Sequence, residues 1–412
     1  MPDKHSYKKG KEVVALLHSA ISKRVLSAML AIWLIAPAAA AYASLPQEQS
    51  TGEGFLSDIY SASGLEEFSS YTSSQSFIEM FGYTNALDFI RDIFSGKQAL
   101  SLTSVWQAIA GSLGSEVRGL ISLILEVVLL AALCGLLQSV NTSYLSPKIR
   151  ESAFYTVYLS LGAIVLKTYF DSIRECTAVF TNLVGFMNVA VPVFVLLLMF
   201  NGGIVSAGLM SPTLLFMTNM VTYILQQTVI PIIGMLIILY FISHLLSDVN
   251  ISFLTGFIKD AASFVVGGAL SAFTGFVAIQ GITFASVDGA AVDTVKYAAK
   301  NLVPFVGSFL YNSFETIQGY ALVIKNSTGL LSMLVIFSIA ALPVVKLFMV
   351  FLALKLSAIL VQPFTDSKFS SFVDEAAGCL LFVDMCILAI GVLFVIMTAL
   401  FMLVGNYLAM LR

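Results

Sequence analysis

Beyond about residue 118 the chain alternates long apolar runs with short polar connectors. Runs long enough to cross a membrane, or nearly so, fall at 119–138, 153–170, 184–200, 262–280, 318–341, 344–364 and 379–408. The stretch 212–246 is longer than one span and is interrupted by Pro231 and Gly234, so it reads as one kinked helix or as two segments meeting near Pro231. At roughly 20 residues per crossing this gives about eight spans over 119–412. Before them, 44–118 is rich in Ser, Thr, Glu, Tyr and Gln. Within it, short helices are predicted at 85–95 and 102–117, and the second carries an apolar stripe at Val105, Ile109, Leu113 and Val117. That stripe would lie on a membrane surface, dock on a partner or pack on the chain's own bundle. Segment 59–80 reads as polar with scattered aromatics.

The amino terminus has its own pattern. Six of the 21 basic residues lie in the first 24 positions, followed by the apolar stretch 25–36 and by Ala41-Tyr42-Ala43. A basic region, a short apolar core and small residues at −3 and −1 form a secretory signal, with cleavage expected between Ala43 and Ser44. An uncleaved anchor is the alternative. In either case 44–118 is expected to be exported.

Composition supports a membrane reading. The chain is 58% apolar and 11% charged, with 32 Phe; its mean hydropathy is +0.93. A soluble domain carries about 25% charged residues, and hydrocarbon admits only helices and closed barrels. The expected fold is therefore all-α and polytopic, partnered by the lipid bilayer. The net charge of −3 gives nucleic acid no purchase. The four cysteines form no CxxC pair and read as buried hydrophobes.

Ionisable groups inside apolar runs are costly and mark function or pairing. Glu126 stands in the middle of 119–138, where it would line a conduit, lock an interface or escape to the headgroups. Lys355 lies mid-run as a cation for pairing, and Asp384 sits near the start of its run. Lys325 and Lys346 are expected to reach the interface on their long stems, and His244 to sit blandly at a helix end. Pro192, Gly202, Gly203 and Pro231 make 184–231 the most irregular part of the membrane region, a candidate broken-helix site. Small residues at Gly267, Gly268, Ser271 and Ala272 allow close helix approach. The stretch 281–303, with Asp288, Asp293, Lys296 and Lys300, reads as an interfacial or re-entrant helix or as a connecting loop. Local matches at offsets of about 112–119 positions suggest related units over 183–280 and 302–400. The carboxyls and histidines are too sparse for a hydrolytic or metal centre, and no phosphate loop, dinucleotide fingerprint or nucleophile elbow occurs. No enzyme, cofactor or metal is expected.

Three stretches, GFMNVAVPVF at 185–194, DGAAVDTVKYAAKNLVPFVG at 288–307 and ALPVVKLF at 341–348, set in this order of leader, exported segment and spans, resemble the stage III sporulation protein AE family. The resemblance implies a multi-pass protein of the mother-cell membrane facing an engulfed forespore. It further implies partnership with other sporulation membrane proteins in a hetero-oligomeric, channel-like or secretion-like complex needed for endospore development. It transfers no catalytic residue. A stand-alone ion-coupled transporter or permease, working through groups such as Glu126 and Lys355, is the alternative.

Overall fold

The computed structural model describes residues 65–94, 102–139, 147–201, 203–245, 251–302, 307–364 and 367–410. The expected Ala43–Ser44 junction, Gly202 and residue 303 of the 281–303 stretch lie outside them. Three short helices come first: α1 (Ser69–Thr72), led in by a 3₁₀ turn at Leu65–Phe68, then α2 (Gln75–Phe81) and α3 (Ala86–Phe94). Long helices follow: α4 (Leu102–Ser139), α5 (Pro147–Phe200), α6 (Ile204–Ile224), α7 (Ile230–Leu245), α8 (Ser252–Leu302), α9 (Gly307–Val361) and α10 (Ser367–Met410). No strand occurs among the described residues, and five of the helices are long and apolar enough to cross a membrane.

The helices are longer and fewer than the apolar runs suggest. The expected connector at 171–183 is helical, so 153–170 and 184–200 belong to the single 54-residue helix α5. Likewise 318–341 and 344–364 join in α9, with Pro343 inside. At 1.5 Å per residue α5 runs about 80 Å, well over the roughly 30 Å of a hydrocarbon layer. Its continuity has a packing cause. Tyr158, Val165, Ser172, Val179, Phe186 and Val193 recur every seven residues, and each is at most 6% exposed. A seven-residue repeat keeps one seam against its neighbours along the whole helix. Asp171 and Glu175, the acidic residues of the expected connector, flank that seam, and Arg174 projects from the other side. The exported-segment helix and the first run are also one element, α4, in which Val105 and Ile109 pack on the core. The stretch 281–302 is helical, not a connecting loop, and continues α8 without a break.

At the irregular region, Pro192 sits on an exposed face of α5 without breaking it. Gly203 marks the turn into α6. Between α6 and α7 a π-helical turn at Leu225–Val229 precedes Pro231, so 204–245 forms one long continuous path. Proline has no N–H for the residue four back, and a π turn is the usual way to absorb such a local mismatch.

Contacts along the helices fix their directions. Phe194 stacks on Phe401 at 5.0 Å and Tyr158 meets Phe369 at 5.7 Å, so α5 and α10 run in parallel. Lys325 reaches Met402 and Lys355 reaches Asp374, so α9 runs against α10. Thr218 touches Met397, and Phe241 packs 5.3 Å from Phe372, which places α6–α7 against α10 and in the same direction as α9. The short helices cover one flank of this bundle. Phe68 and Tyr71 pack on Phe186, and Phe81 packs on Phe337. The aromatics of 59–80 are thus anchors: Phe68 and Phe77 are fully buried.

Candidate functional site

Charge is sorted by height along the bundle. On α9 no charged residue lies between Lys325 and Lys346, a rise of about 30 Å. The neighbours match: α5 is uncharged over 176–200, α8 over 261–287 and α10 over 385–410. This uncharged layer has hydrocarbon thickness. An ionic layer adjoins it.

At its near edge Lys346 of α9 lies 3.3 Å from Glu116 of α4 and 3.2 Å from Glu175 of α5. Three helices are joined there through one ammonium group. Asp171 pairs with the well-exposed Arg174 at 3.6 Å on the same flank. About two and a half turns further on, Lys355 forms an ion pair with Asp374 of α10. Beside it His244 Nδ1 lies 2.8 Å from the Tyr240 carbonyl and 3.6 Å from Glu375. Tyr158 donates to the Phe241 carbonyl at 3.3 Å and stacks on its ring, closing the α5–α7–α10 corner.

Two charged side chains lie in the interior. Asp384 is 3% exposed, and its Oδ1 has no hydrogen-bond partner among the described residues. Buried Tyr169, Cys176, Cys379 and Cys386 belong to the same α5–α10 seam, and the three thiols are free. Lys325 is fully buried, and its ammonium donates to the Met402 carbonyl at 2.9 Å. No group of three or more His, Cys, Asp or Glu suited to a metal occurs among the described residues.

The residues singled out from sequence therefore separate. Lys355 is paired, Asp384 is interior rather than near headgroups, and Glu126 is exposed on the outer face of α4, accepting from Ser122 at 3.2 Å. Neither Lys325 nor Lys346 reaches out on its stem: one is covered by α10 and the other is bound by two carboxylates. Sequence reading missed Glu116, Glu175, Asp374 and Glu375 as members of one layer. The signal was available only as the common height of charged positions on helices whose register was unknown. His244 is a layer member as well, not a bland helix end.

The model of the stage III sporulation protein AE family matches residues 84–405. Among curated proteins, Stage III sporulation protein AE of Bacillus subtilis (strain 168) is 23% identical over 323 residues, covering 78% of this chain and 81% of that protein. No solved structure matches. The family match runs from just before α3 through nearly all of α10, spanning both the uncharged layer and the ionic layer, and the chain belongs to the stage III sporulation protein AE family.

Proposed function

We propose that this protein is a non-enzymatic membrane component of a complex that links mother cell to forespore, channel-like or secretion-like in kind, with other sporulation membrane proteins as its partners. The family match over 84–405 is the observation that carries this reading. The bundle supports it by offering several membrane-length helices together with an ordered N-terminal face, α1–α3, whose outer side is polar. Such a face suits contacts with partner proteins. On this reading the membrane is that of the mother cell around the forespore.

Affinity isolation from sporulating cells in mild detergent, followed by mass spectrometry, tests it. Recovery of other sporulation membrane proteins is expected, together with a loss of spores when the gene is deleted. A preparation free of sporulation proteins, from cells that sporulate normally without this chain, would overturn it. Solute uptake by the purified protein alone would favour a stand-alone carrier instead.

A further inference from the structure

Helices α1–α3 meet the bundle at the middle of its uncharged layer. Phe68 and Tyr71 pack on Phe186 of α5, and Phe81 packs on Phe337 of α9. Along α9, Phe337 stands about 14 Å from Lys346 and about 18 Å from Lys325, the charged residues that bound the layer. Glu175 is level with Lys346, and Phe186 stands about 16 Å further along α5. Both anchors therefore lie far from either edge.

The outward side of these short helices is acidic. Residues 65–94 hold five acidic residues and one basic. Glu66, Glu67, Glu79 and Asp88 are exposed, and Arg91 lies 3.9 Å from Asp88. No large apolar side chain is exposed among the described residues of this segment. Helix α6 differs at the same height. Thr218 touches Met397, and Phe194 stacks on Phe401, which brings Met220 within about 5 Å of the level of Phe186. There Phe216 and Met220 are 61% and 44% exposed, as a lipid-facing surface requires.

Glu67 adjoins Phe68, and Glu79 stands two residues before Phe81. A glutamate stem is far shorter than the distance to either edge, so these carboxylates do not reach the headgroups by extending. Lipid on this flank would hold several ionised groups in hydrocarbon. A tightly packed partner would bury them at a contact whose centre is normally depleted of charge. Water satisfies them.

We propose that the outer face of α1–α3 forms one wall of a water-filled passage at the height of the hydrocarbon layer, and that the passage favours cations over anions. Carboxylates lining a confined cleft raise the local concentration of cations. On the reading of a mother-cell-to-forespore complex, on which this rests, partner proteins meet the flank across water and keep lipid from it. Helix α6 presents its apolar face to lipid at the same level.

Cysteine accessibility in membrane vesicles from sporulating cells tests this, with reagents admitted to both sides. Ser70→Cys and Glu79→Cys report on the wall, Met220→Cys reports on the α6 face, and each is read against the parent chain. A cationic methanethiosulfonate should modify both wall positions at least about tenfold faster than Met220→Cys, since a thiol in hydrocarbon neither ionises nor meets a charged reagent. Scaled to a free thiol, it should outpace an anionic methanethiosulfonate at the wall by about tenfold. Glu66→Gln with Glu67→Gln should narrow that ratio at Ser70→Cys. Wall positions as slow as Met220→Cys, a Met220→Cys as fast as the wall, or equal scaled rates for the two reagents would overturn the proposal. Ser73→Cys, exposed on the same face, stands in for a wall variant that fails to accumulate. Partner recovery is measured on the same cells. A protected wall within a recovered complex defeats the passage alone, and a missing complex defeats the reading beneath it.

Discussion

Gly162 faces the ring of Phe241 so closely that an added Cβ would collide with it. The ring is held on its other side by Tyr158 and Phe372, so the strain has no outlet. Gly162→Ala is expected to cost about 1–3 kcal/mol by overpacking, seen as a lower melting temperature in detergent. Gly234→Ala, where a Cβ meets open space, should leave the melt unchanged or raise it slightly, because alanine is the better helix former. Tyr83, outside the spans, hydrogen-bonds Asp92 at 3.1 Å. Burial, then the Asp92 hydrogen bond and charge, push its phenol up from 10.0 to about 12. A folded-state value above the unfolded one means that this contribution is complete below pH 10 and fades as pH rises towards about 12. Ultraviolet titration of Tyr83→Phe should lack one late-ionising phenol that the unaltered protein shows. None of these neighbours is legible in the sequence: Gly162 and Phe241 lie on different elements, and only the register of α5 on α7 brings them together.

Lys346 ties three elements. Replacing it with Met leaves Glu116 and Glu175 facing each other across α4 and α5. All three side chains are about a third to a half exposed, so the expected loss is modest, about 1 kcal/mol. Its signature is recovery: Glu175→Gln should restore the melt of Lys346→Met, and failure to do so would dissociate the triad from stability. The π turn gives a sharper test. Inserting one alanine after Thr228, in a stretch that already holds the extra residue of a π turn, would rotate α7 by about 100° relative to α6, carrying Phe241 out of its corner. Strong destabilisation is expected in a thermal scan, whereas Pro231→Ala should be tolerated. The sequence exposes Pro231 as a point of irregularity but not its form, since a kink, a break and a π turn share one composition. It equally exposes the apolar runs but not their joining. Asp171, Arg174 and Glu175 look like a connector until the seven-residue seam beside them on α5 is followed through.

At the scale of the molecule, helical class and membrane length are legible from composition and run length, because the solvent itself forbids alternatives. The height of charged groups is not, because it needs the mutual register of helices. The N-terminal helices pack on the same body as the long helices. Removing 65–94 should bare Phe186 and Phe337, and the truncated chain is expected to aggregate on extraction, where the full chain stays monodisperse by light scattering. The unbroken length of α5 has a mechanical consequence. Phe68 and Tyr71 grip it at Phe186, and Tyr158 ties its other half to α7 and α10, about 40 Å away along one stiff rod. A tilt imposed by anything that binds the N-terminal face is delivered to that far corner as leverage, without a hinge to dissipate it.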